Sequence, residues 1–167
     1  MKIKEGIGTN ETTQRTLVLH IIQPGLAGLM DGSVSSLAPL FAAAYATHNA
    51  HTTFIVGLAT AAGAGISMAF SEALSDDGKL SGRGNPWHRG LASGLMTFAG
   101  AIGHTLPFLI TGFSMAMMIA TIIVSAELLA IALVRHRYMQ IPLAKSLLQV
   151  FAGGMVVFLA GMFIGKG

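Results

Sequence analysis

The chain has 167 residues, 53% of them hydrophobic and 10% charged, with a formal net charge of +3 and no cysteine. Soluble domains carry about 25% charged residues, so this composition, with a mean hydropathy of +0.67, points to a bilayer as the solvent. The missing cysteine excludes disulfides and thiolate metal sites, and few aromatics with no basic stripe argue against nucleic acid as a partner.

Residues 1–16 are polar and read as a cytoplasmic tail; residues 17–167 read as one membrane domain. A membrane helix needs ~20 mostly apolar residues. Five segments meet this requirement, at 17–47, 53–74, 90–110, 113–134 and 144–165. The expected fold is therefore an all-α membrane protein with five transmembrane helices. The first apolar stretch is too long for a signal peptide. Between the second and third spans, SDDGKLSGRGNPWHR reads as irregular loop.

Charge placement orients the bundle. Lys2, Lys4 and Arg15 precede span one, Lys79, Arg83 and Arg89 fall between spans two and three, and Arg135, Arg137 and Lys145 fall between spans four and five. With five spans, nine of the ten Lys and Arg residues share one side and only Lys166 lies on the other. The positive-inside rule then sets the N-terminus in the cytoplasm and the C-terminus outside. Small residues four apart (Gly28/Gly32, Gly90/Gly94, Ala116/Ala120, Gly161/Gly165) allow close helix contact, within one chain in preference to between two.

Asp31 lies in the middle of span one, in GLMDGSVSSLAPLF. A carboxylate at that depth is costly and marks an ion or proton pathway. The turn 48–51 is short, which makes spans one and two antiparallel neighbours. Sixteen residues separate Asp31 from Thr47, and sixteen separate Thr52 from Met68. Both should then stand ~24 Å below the outer turn, side by side. Glu72 follows Met68 by one turn on the same face. Glu127, Met96 and Gln149 fall near the same level by similar counts. Three of the seven acids thus sit in spans with no intramembrane Lys or Arg to neutralise them.

Met68 or Met96 alone would be packing, and a lone Gln or Ser is interhelical glue. It is the acids that make this layer a candidate site. The candidate transport and metal residues are Asp31, Met68, Glu72 and Glu127, with Met96, Gln149 and His104 along the path. Carboxylate oxygen together with thioether sulfur suits a borderline ion such as Fe²⁺. A carboxylate must lose its proton to bind metal, so metal and proton compete, which is the basis of antiport. His48 and His51 read as solvated turn residues, or with His104 as an exit relay; His20 and His136 read as headgroup-level residues. No P-loop and no Glu-x-x-His motif occurs, so neither ATP hydrolysis nor a ferritin-type di-iron centre is expected of the chain, and no enzyme activity is.

The runs GLMDGSVSSLAPLFAA and GLATAAGAGISMAFSEAL resemble the first two spans of the vacuolar iron transporter family. That family carries Asp-Gly in span one, here Asp31-Gly32, and a glycine-containing run ending Ser-Met in span two, here Gly65-Ile66-Ser67-Met68. The resemblance extends over 15–165. SEALSDDG and GHTLPF are similar to the bacterial branch, where the domain is often fused behind an erythrin (ferritin-like) domain, as in membrane-bound ferritin. The resemblance implies a homodimer with its path at the subunit interface. It also implies proton-coupled export of Fe²⁺, sometimes Mn²⁺, from the cytoplasm across a bacterial inner membrane, with the metal as cargo and no resident cofactor. Asp31 and Met68 match the family's intramembrane transport residues. About 15 residues stand where plant-type members insert a Glu- and Met-rich cytoplasmic domain, and no erythrin domain is in this sequence. A membrane anchor and dimeriser for a ferritin-like partner, and a passive divalent-cation channel, are the competing expectations.

Overall fold

The computed structural model describes residues 16–167 apart from 76, 80 and 111; the polar tail expected over 1–16 lies almost wholly outside them. Among the described residues there are helices and no strand. Span one is not one continuous α-helix. It opens with a π-helical turn, Val18–Ile22, continues as α1, Gln23–Ser35, and resumes as α2, Leu37–Thr47. Pro24 has no N–H to give to the preceding turn, and the wider π turn ahead of it accommodates that loss. The second break is at Ser36, three residues before Pro39, which likewise leaves the Ser35 carbonyl without its helical donor. The left-handed His48 (φ 48°) ends α2.

Helix α3 covers Ala50–Ser75. Helix α4 covers Pro86–Gly103, capped by Asn85, whose side chain accepts from the Trp87 and His88 amides, with Pro86 at the first helical position. A 3₁₀ turn, Leu106–Leu109, follows. Helices α5, Phe113–Met139, and α6, Leu143–Lys166, complete the chain. Four stretches among the described residues are long and apolar enough to cross a membrane: Val18–Thr47, Ala50–Ser75, Phe113–Met139 and Leu143–Lys166. The expected span at 90–110 is interrupted: its helix starts four residues earlier and stops at Gly103.

Helix α4 is nonetheless the centre of the packing. It lies between α1 and α3, in close contact with both, whereas α1 and α3 touch each other only slightly. The small residues make this possible. A side chain at Gly28 or Gly32 would run into the backbone of Ser93 or Thr97, and one at Gly90 or Gly94 would meet Ala69. Gly161 and Gly165 rest likewise on Ala38 and Ala42 of α2, and Ala116 and Ala120 are buried. All four small-residue pairs therefore serve contacts inside the chain, as weak interhelical attraction in lipid requires close backbone approach. The core runs through Leu37, Leu40, Phe41, Phe108, Leu128 and Ile131, with the Phe158 ring edge-on to Phe41 at 4.7 Å.

These contacts fix the sense of each helix. Successive residues of α1 meet successive residues of α4 in the same order, and so do those of α2 and α6; α3 meets α4 in reverse order. Arg135 bonds Gln149 and Ser146 bonds Ala132, so α5 and α6 are antiparallel. The start of span one and the segments 77–85 and 140–142 therefore share one end of the bundle. Lys79, Arg83, Arg89, Arg135, Arg137 and Lys145 gather there, while Lys166 stands at the other end beside the Tyr45 ring, 5.2 Å from its centroid.

Candidate functional site

The polar residues singled out in the sequence do not form one layer. The structure sorts them into three separate groups.

Asp31 is on α1, next to the glycine that presses on Thr97. It is half-buried. Its backbone carbonyl accepts from Ser35 Oγ at 2.6 Å, but its carboxylate has no hydrogen-bond or ion-pair partner among the described residues. Met68, also half-buried, is on α3, across α4. The two were expected at equal depth on adjoining helices. Along α4, Gly32 stands opposite Thr97, whereas Ala69 stands opposite Gly94. Correcting each by one residue puts Asp31 level with position 96 of α4 and Met68 with about position 95. The two therefore stand within one residue's rise, ~1.5 Å, of each other in depth, but on opposite sides of α4. The short turn 48–51 does hold α2 beside α3, but Ser36 and α4 separate the lower halves. The surface recesses between α3 and α4 (about 350 Å³) and between α1, α4 and α5 (about 380 Å³) are lined by apolar side chains and take in neither residue.

Glu72 is engaged elsewhere. Its Oε1 accepts from Arg83 Nη2 at 2.8 Å and Arg89 Nε at 2.9 Å. The Arg89 side chain is fully buried, and its Nη1 also donates to the carbonyls of Gly84 (3.1 Å) and Arg83 (3.3 Å). The expectation that Lys and Arg stay clear of the intramembrane acids is corrected here. Arg89 belongs to the first turn of α4, not to the loop, and it folds back along α3. The loop is shaped around it by Gly78, Gly82 and Gly84, all at positive φ, and His20 Nε2 reaches the Gly82 carbonyl at 3.3 Å.

Glu127 forms the third group. Its Oε2 is 3.0 Å from His104 Nδ1, and His104 Nε2 is 2.9 Å from Ser36 Oγ. Ser36 Oγ in turn donates to the Gly32 carbonyl at 2.5 Å. His104 and Ser36 are fully buried and the Glu127 side chain is 16% exposed. Ser36 was not among the sequence candidates. Its one sequence signal is its place three residues before a proline in the middle of an apolar run. His104 is not joined to His48, whose ring lies tilted against Phe113 with centroids 5.7 Å apart, nor is His51 seen with it, so no exit relay of histidines is assembled among the described residues.

Met96 is exposed and lines the apolar recess beside Ile21 and Leu29. Gln149 accepts from Arg135 Nη2 at 3.0 Å near the basic end. Among the described residues no three His, Asp or Glu side chains converge as a metal centre within one chain. Comparison of the chain with protein-family models, with curated proteins and with solved structures found no match.

Proposed function

We propose that the chain is a secondary transporter of the vacuolar iron transporter kind, which as a homodimer exports Fe²⁺ or Mn²⁺ from a bacterial cytoplasm in exchange for protons. The observation that carries this reading is the Asp31 carboxylate, which sits in a membrane helix, half-buried and without a partner. Facing lipid, an ionised carboxylate costs several kcal/mol, roughly 2.5–3.5 on insertion scales. A residue kept at that cost needs something to cover it and something to bind, and the described residues of its own chain supply neither.

A second copy meets both needs. Two chains would bring two Asp31 carboxylates and two Met68 thioethers to a shared path. That is a mixed oxygen and sulfur set of the kind that suits a borderline divalent ion. Glu72 and Glu127 are held by Arg89 and His104, so the cargo ligands in this reading are Asp31 and Met68. The cargo must displace a proton from Asp31 to bind, and proton return drives release. Helix α4 with its 3₁₀ extension is the remaining crossing: lying between α1 and α3, it needs less hydropathy than a lipid-facing span. In this reading the 77–85 and 140–142 end, where the basic residues gather, faces the cytoplasm, as the positive-inside rule favours.

Reconstituted liposomes test this. A pH gradient should drive saturable Mn²⁺ or Fe²⁺ flux, and Asp31→Asn should abolish it. A membrane anchor for a ferritin-like partner would show no flux, and a passive channel would show flux that ignores the proton gradient.

A further inference from the structure

The cargo site leaves unexplained a buried imidazole and carboxylate that join three segments of the bundle. His104 closes α4, Glu127 is midway along α5, and Ser36 is the break in span one. Glu127 Oε1 also lies against Gly103, where a side chain would displace it. The carboxylate is therefore built into place beside the imidazole and away from Asp31.

Counting protons shows what the group can do. Ser36 has one hydroxyl proton and gives it to the Gly32 carbonyl. It can then only accept from His104, so Nε2 carries a hydrogen. With Nε2 protonated, the 3.0 Å contact between Nδ1 and Glu127 Oε2 requires one more proton between them; without it a nitrogen lone pair would face a carboxylate. When that proton leaves, the neutral imidazole must turn its remaining hydrogen toward Glu127 through Nδ1. Nε2 is then bare, and the Ser36 hydroxyl must swing from Gly32 to fill it. Protonation of the pair thus decides whether the Gly32 carbonyl holds the Ser36 hydroxyl. Gly32 adjoins Asp31, directly below the Ser36 break.

We propose that His104 and Glu127 form a proton-binding site separate from the cargo site, and that Ser36 transmits its occupancy to the backbone beside Asp31. The site is electrically isolated. Helix α3 carries no ionisable side chain between His51 and Glu72, and α5 carries none but Glu127 between Phe113 and Val134; on span one the nearest are Asp31 and Tyr45, and on α4 itself Arg89. Among the described residues, no charge but Glu127 is within hydrogen-bond reach of the imidazole. The inference rests on the antiport reading for its purpose and on geometry alone for its existence.

The test uses the full chain in nanodiscs and liposomes, with Mn²⁺ as probe. ¹⁵N spectra of His104 should show Nε2 protonated at low pH and a switch to the Nδ1 tautomer as pH rises. Glu127→Gln and Ser36→Ala should each abolish or displace that switch. Glu127→Gln should still bind Mn²⁺ like the wild type yet lose pH-driven flux by ~10-fold or more, the scale of a typical coupling between sites. Ser36→Ala, a smaller change for the fold, should weaken the pH dependence of flux. If Glu127→Gln loses Mn²⁺ binding as Asp31→Asn does, Glu127 is a cargo ligand and the inference fails. It fails equally if His104 shows no pH-dependent switch, or if both variants transport like the wild type. A switching His104 in a wild-type protein that moves no metal would instead sink the transport reading and leave the proton site standing.

Discussion

Arg89 Nε donates to Glu72 Oε1 across 2.9 Å, linking the first turn of α4 to the last turns of α3. The arginine is shut off from solvent and the glutamate nearly so. Removing one member of such a pair leaves an uncompensated buried charge, which costs about 3–5 kcal/mol. Glu72→Gln should therefore lower the unfolding midpoint in detergent markedly. Arg89→Lys should not restore it, because one ammonium cannot reach both Glu72 and the carbonyls of Arg83 and Gly84. A Glu72→Gln protein as stable as wild type would contradict this assignment and return Glu72 to the candidate cargo residues.

Gly32→Ala sets a methyl group on the Thr97 carbonyl, a backbone atom that cannot move aside cheaply. Overpacking of this kind costs about 1–3 kcal/mol, and it should push α1, with Asp31, away from α4. Gly63 on α3 has open space where its side chain would be. Gly63→Ala should be harmless or stabilise the helix by up to ~1 kcal/mol. Thermal unfolding of the two variants side by side checks the α1–α4 contact.

Met68→Leu keeps the volume and removes the sulfur. With Met68 as a cargo ligand, Fe²⁺ affinity should fall by ~10-fold, equivalent to ~1.4 kcal/mol, with little change in stability. The loss should be smaller for Mn²⁺, which prefers oxygen donors. Equal affinity for both metals in wild type and variant would make Met68 a packing residue only.

The absence of cysteine makes topology directly readable. Single cysteines replacing Asn49 and Gly112 should react with an impermeant maleimide added outside intact cells. One replacing Lys145 should react only after permeabilisation. Labelling of Asn49→Cys and Gly112→Cys from opposite sides would show that α4 does not cross.

The sequence conveyed the outer helices better than the inner one. Spans at α3, α5 and α6 are plain from hydropathy because those helices keep long apolar faces that no described residue covers. Helix α4 is different: Gly90, Ser93, Gly94, Thr97 and Gly100 are buried against two neighbours, so its interior position removes the need for large apolar groups. Starting that span at Gly90 also assigned Arg89 to the loop, although Asn85-Pro86 is a readable helix start. The half-buried Asp31 was legible as a lone acid in an apolar run. Its separation from Met68 was not, since chain order suggested that α1 and α3 adjoin along their whole length and gave no sign that α4 lies between their lower halves. The Ser36–His104 bond spans 68 residues, and a contact that distant leaves no spacing to read.

Diffraction from crystals soaked in Mn²⁺ or Fe²⁺, recorded at the metal's absorption edge, bears most directly on the cargo site. The account predicts an anomalous peak between two copies of the chain, bounded by the Asp31 carboxylates and Met68 thioethers of both. A peak at Glu72 or Glu127 instead, or Asp31 turned to lipid with no second copy covering it, would contradict it.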